Sequence, residues 1–167
     1  LERNMLDELK NIKSTYGSYF TLGNHDIYGS KADMLTEILR NNAETIVLRD
    51  EKMLVNNEIY IAGRDNFSKK PISEILDGKE DKPVILIQHT PDTIDEAVEN
   101  KTFLQVSGHT HKGQMFPGRL FTKKMFKVDY GHEKIEDTNI IVSSGYGTWG
   151  PPIRIGSQSE IVLIKIR

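Results

Sequence analysis

Cysteine is absent from the 167 residues, which excludes disulfides, thiolate zinc sites and a cysteine nucleophile, and leaves the compartment open. Charge of one sign is not in excess. The 22 basic and 24 acidic side chains give a formal net charge of −2, so no basic field argues for nucleic acid as a partner. No apolar run approaches the roughly 18 residues of a membrane span, and no signal peptide is visible. Repeats and low-complexity tracts are also missing. What remains is ordinary: 37% hydrophobic and 28% charged residues, in a length that suits one domain with a real core.

Histidine is scarce but concentrated. Of the five histidines, four lie in three short clusters: Gly23-Asn24-His25-Asp26, Gln88-His89-Thr90-Pro91 and Gly108-His109-Thr110-His111. Each cluster follows an apolar run that reads as a strand: Tyr19 to Leu22, Val84 to Ile87 and Phe103 to Val106. Imidazole is the commonest metal ligand and the usual acid or base near neutral pH. Histidines placed at strand ends point to one site built from several loops.

The apolar pattern predicts the elements around these clusters. Leu1 to Tyr16 has helical spacing, and it opens without an initiator Met, as though the chain began inside something larger. Ser18 to Leu22 reads as a strand and Lys31 to Arg40 as a helix with Ser30 as its N-cap. Thr45 to Leu48 is a short strand. Lys52 to Val55 and Glu58 to Ala62 form a hairpin around Asn56-Asn57. Pro71 to Leu76 suggests a short helix, and Pro83 to Gln88 a strand buried on both faces. A helix over Pro91 to Asn100 and a strand over Thr102 to Ser107 follow. Val128 to Glu136 and Asn139 to Ser143 make a hairpin around Asp137-Thr138, and Glu160 to Ile166 is a last strand. Strand and helix alternate early, and strands dominate late. The predicted fold class is therefore α/β, a layered β-sandwich flanked by helices.

The clusters admit a chemical and a plain reading. In extended chain, residues two apart point to the same side, so His109 and His111 can face one pocket and reach one ion or two. The plain reading is an exposed polar turn. His89 follows a strand too apolar for the surface, and is either a satisfied buried ring or a ligand at the carboxyl end of the strand. Asn24 offers a neutral oxygen ligand, His25 a proton for a leaving group, and Asp26 a carboxylate to hold that ring; otherwise the trio is a polar turn. Taken together the clusters supply nitrogen and oxygen ligands without sulfur, which suits manganese, iron, zinc or nickel. Two such ions about 3.5–4 Å apart form the clamp used for in-line displacement at phosphorus.

In these residues the chain resembles the calcineurin-like metallophosphoesterases. That family carries five blocks, of which the last three stand here in order: Gly23-Asn24-His25-Asp26, His89 after a strand, and Gly108-His109-Thr110-His111. The stretch Ser144 to Arg154 also resembles the bacterial branch whose members often carry an N-terminal membrane anchor. The resemblance covers the whole chain, 1–167, as the carboxy-terminal portion of a single such domain. It implies that Asn24, His89 and His109 ligate one divalent ion and His111 a second, with manganese, iron or zinc as candidates. It implies that His25, positioned by Asp26, stabilises the transition state or protonates the leaving group, while a metal-activated hydroxide attacks a phosphate-ester substrate. The alternative is a non-catalytic scaffold of the same fold that binds other proteins.

The first two blocks, Asp-x-His and Gly-Asp, occur nowhere in the sequence. Two expectations follow from that absence: a truncated, inactive fragment with partial or no metal occupancy, and an exposed sheet edge that invites self-association. Lys112 stands where the branch more often has glycine. From Met115 to Lys127, Phe116, Leu120, Phe121, Met125 and Phe126 mix with cations, as in a segment lying on an anionic membrane; a loop tucked against the core is the preferred reading. Localisation is thus cytoplasmic or membrane-associated. His132 reads as a surface residue, Trp149 as packing over the sheet end, and Arg154 as a structural pairing outside the site.

Overall fold

A computed structural model describes residues 11–29, 31–41 and 45–166. The architecture is α/β, with strands in mixed pairing and helices set between them. The chain divides into two compact units, Leu1–Ile87 and Gln88–Arg167.

In the first unit, β1 (Ser18–Phe20) pairs in parallel with β2 (Thr45–Val47), with α1 (Asn24–Tyr28) and α2 (Ala32–Arg40) in the crossover. Leu35 and Leu39 of α2 pack with Leu22 and Val47 into a small core. This is the apolar stripe that the helical spacing predicts. A hairpin follows, β3 (Glu51–Val55) with β4 (Ile59–Arg64), whose register closes at Val55 opposite Ile59. Asn56 and Asn57 both take positive φ at its turn, a conformation that asparagine tolerates better than most residues. Helix α3 (Ile72–Ile75) comes next. Strand β5 (Val84–Gln88) lies beside β4 and alternates buried with half-buried residues, none exposed.

In the second unit, α4 (Ile94–Glu99) precedes β6 (Leu104–Ser107). Strand β6 pairs in parallel with β8 (Thr138–Val142), and β8 pairs antiparallel with β7 (Gly131–Ile135). Ile94, Val128, Ile140 and Val142 form its core. The β7–β8 turn is Glu136-Asp137, one residue earlier than predicted, and Glu136 takes the positive φ.

Four expectations need correction. Most of the predicted first helix, and Ser30, lie outside the described residues, but residues 12–16 are not helical. Ser14 and Thr15 compete with helical hydrogen bonding, and Gly17 turns the chain at positive φ. Residues 160–166 are not a strand. Alternating aliphatics make a segment strand-compatible, but a strand also needs a neighbour for its backbone, and among the described residues Ile161 to Ile166 meet none. The segment Met115 to Lys127 is not a tucked loop: it holds α5 (Arg119–Met125), and Phe116, Leu120, Phe121 and Met125 are exposed. Trp149 is half exposed rather than packed away.

Candidate metal centre

The first cluster is the opening of α1. Asn24 is buried, while His25 is exposed. Asp26 does not hold the His25 ring. Its Oδ2 accepts the Gly23 backbone N–H at 2.8 Å, so the carboxylate satisfies an otherwise unpaired donor at the positive end of the helix. Adjacent residues on a helix diverge by about 100°, which parts the carboxylate from the imidazole. His25 instead meets Tyr28 three residues on, edge to face, with centroids 6.4 Å apart.

The second and third clusters converge. Gln88, at the end of β5, donates to Asp92 Oδ1 at 3.0 Å and accepts from Thr93 Oγ1 at 2.7 Å, closing the turn after His89. Gly108, just past β6, donates its N–H to the His89 carbonyl at 2.9 Å. Thr110 Oγ1 donates to the Asp129 carbonyl at 2.7 Å. These bonds bring the two strand exits side by side, and His89 Nε2 comes to stand 3.3 Å from His109 Nδ1. The rings are nearly perpendicular, 78° between planes, with centroids 5.1 Å apart. Phe126 meets His109 edge to face from another side at 6.0 Å.

That separation fits a metal. Nitrogens bound tetrahedrally at about 2.0–2.1 Å stand about 3.3 Å from each other. The two atoms facing one another are ring nitrogens, each able to present a lone pair when its partner nitrogen carries the proton. Among the described residues, no three His, Asp or Glu side chains gather closely enough to enclose an ion.

His111 does not join the pair through a shared strand face. His109, His111, Lys112 and Gln114 all take positive φ, and left-handed residues break the alternation that an extended chain would impose. The His111 ring instead faces Arg154, whose Nη2 lies 3.4 Å from Nδ1. A guanidinium only donates, so Nδ1 is the side of the ring that can accept in this contact.

Two residues that the sequence pattern did not single out for the site hold this turn. Arg154 Nη2 also donates to the Ser144 and Gly145 carbonyls at 2.8 and 3.1 Å, and Nη1 donates to the Gln158 carbonyl at 3.3 Å. Gln114 is fully buried. Its amide donates to the Trp149 carbonyl at 2.8 Å and accepts the Trp149 N–H at 2.9 Å. Gly113 has φ +76°, and a Cβ there would stand 2.1 Å from Arg119 N. The one signal available was the Gly/Pro-rich stretch from Ser144 to Gly156, a loop that needs side-chain partners to be ordered. Glu160 fastens the far side of that loop. Burial raises the pKa of its carboxyl, but donation from Ser144 N–H, Tyr130 O–H and Ser143 O–H outweighs burial and holds it below its ordinary value.

Comparison with known proteins bears on what this arrangement belongs to. An uncharacterised metallophosphoesterase of Helicobacter pylori is 33% identical across 98% of this chain, which covers 46% of that protein. An uncharacterised metallophosphoesterase of Aquifex aeolicus is 34% identical across 95% of the chain and 64% of its own length. A zebrafish (Danio rerio) protein named as a transmembrane protein with a metallophosphoesterase domain is 30% identical across 99% of the chain and 42% of its own length. The chain therefore spans about half the length of several curated relatives. No protein-family model matches it, and no solved structure gives a significant match. Among the described residues no helix is long and apolar enough to cross a membrane. With its histidine blocks in order, the chain is thus similar along nearly its whole length to proteins named metallophosphoesterases.

Proposed function

We propose that the chain contributes one side of the active site of a metal-dependent phosphohydrolase acting on a phosphomonoester or phosphodiester. The observation that carries this reading is the 3.3 Å approach of His89 Nε2 to His109 Nδ1, in a chain whose relatives are named metallophosphoesterases. His89 and His109 would hold a divalent ion, and an all-nitrogen and oxygen donor set favours manganese, iron or zinc. Asn24 is proposed as an oxygen ligand on its chemistry and on the resemblance alone. A divalent ion bound there polarises a phosphoryl oxygen and makes water acidic enough to attack near neutral pH. The edge of Phe126 packs against His109 and fixes the ring that must present its lone pair. His111 is proposed, on the resemblance alone, as a ligand of a second ion. His25 is exposed, and on the resemblance it is proposed to protonate the departing alkoxide or aryloxide. A second ion would need carboxylates that do not gather among the described residues, so the chain by itself is proposed to be a weak catalyst.

Calorimetric titration with zinc or manganese tests the binding step. One ion should bind, and His89→Ala or His109→Ala should weaken it by at least about tenfold. Hydrolysis of an aryl phosphate and a bis-aryl phosphate should be slow and should depend on the added ion. A wild-type chain that binds no divalent ion would overturn the reading. Binding without hydrolysis under any ion would favour a non-catalytic scaffold.

A further inference from the structure

Helix α5 is docked by its polar side. Thr122 Oγ1 donates to the buried Asp129 carboxylate at 2.9 Å, and Arg119 Nε stands 3.6 Å from the same carboxylate. Arg119 also stacks on the Tyr130 ring, 5.7 Å from its centroid. The opposite face carries the large apolar side chains. Leu120 is 60% exposed, Phe121 65% and Met125 73%, and Phe116 just before the helix is 74% exposed. At about 100° per residue, Leu120, Phe121 and Met125 fall within one arc of about 140°. A helix that meets only water and its own protein turns such an arc inward. This one turns it outward.

Charge says what covers that face. Lys123 and Lys124 lie on the same short helix, Lys124 within the apolar arc and Lys123 beside it, and neither has an ion-pair partner among the described residues. Long cationic side chains at an apolar face suit a surface where hydrocarbon lies under anionic headgroups: the stems follow the apolar layer and the ammonium groups reach the phosphates. We infer that the outer face of α5, with Phe116, is a membrane-surface contact that seats the second unit on an anionic lipid bilayer. Phe126 follows α5 directly and its ring meets His109, so the same contact would hold the histidine pair close to the headgroup layer. The inference does not depend on hydrolysis, because lipid binding is read without substrate or metal.

Sedimentation with vesicles tests it. The wild-type chain should partition onto phosphatidylcholine–phosphatidylglycerol vesicles and only weakly onto phosphatidylcholine alone. The variant Leu120→Ser/Phe121→Ser/Met125→Ser should lose at least about tenfold in partition. Lys123→Glu/Lys124→Glu should lose about tenfold or more on the anionic vesicles, and raised salt should narrow that difference. These side chains are exposed, so unchanged thermal melts should accompany both losses. Failure of the wild type to partition onto anionic vesicles would overturn the inference even if no variant folded. So would variants that bind like the wild type, or a wild-type dimer that the apolar variant makes monomeric with no change in vesicle binding; that last result would assign the face to a second copy of the chain.

Discussion

The two units present their histidines in opposite ways. In the first, the cluster is a helix start: regular backbone, a carboxylate capping its own N-terminus, and side chains that diverge because neighbours on a helix must. In the second, two strand exits and a run of left-handed residues force two rings together, and buried polar groups hold the turn in place. Similar motif residues are thus an inexpensive local structure in one place and a strained, heavily supported one in the other. The difference teaches where substitution hurts.

The contrast is sharpest at Gly113. Gly113→Ala should destabilise the chain by about 3 kcal/mol or more, since it combines a positive φ with a backbone clash; a denaturant melt that barely moved would mean that the turn is not strained. Gln114→Ala should cost about 2–3 kcal/mol in the same assay, because it leaves the Trp149 N–H and C=O without their partner. It should also weaken zinc binding, because the turn carries His109. In the first unit, Asp26→Ala removes a single cap and should cost about 1 kcal/mol, and it should lower zinc affinity less than Gln114→Ala does. A large metal effect from Asp26→Ala would erase the distinction between the clusters.

An effect of similar size is a pH dependence at Glu160. Its folded-state pKa is lowered, so it contributes stability above its unfolded pKa, and that contribution fades as pH falls through the lowered folded value. Glu160→Gln should therefore melt earlier than wild type at neutral pH, by about 1 kcal/mol, and the gap should close in acid. A gap that widened in acid would mean that the Tyr130, Ser143 and Ser144 donors are not the cause.

Much of this contrast was legible in the residues. The β3–β4 hairpin was readable because Asn56-Asn57 is a pair that accepts positive φ, and the conformation found there uses it. The α2 stripe was readable because its period matches the buried face. The His89 and His109 strand exits were readable as clusters following apolar runs. The turn between His109 and Gln114 was not, because glutamine and lysine in left-handed backbone give no local signal; only the loop packed against them makes it tolerable. Residues 160–166 misled for a related reason: alternation reports what a segment could pair with, not whether a neighbour is present. Helix α5 shows a third limit. Its residues carry no clean apolar period and read as a loop, and nothing in them says which side of a helix the protein holds; here Asp129 holds the polar one.

The most direct test is zinc titrated into the nitrogen-15-labelled chain, with the ring nitrogens of all five histidines followed by NMR. The resonances of His89 Nε2 and His109 Nδ1 should shift together with the first equivalent, while His25 and His132 stay where they were. A His89 ring that does not respond, or one that responds without His109, would contradict a shared ion between the two strand exits.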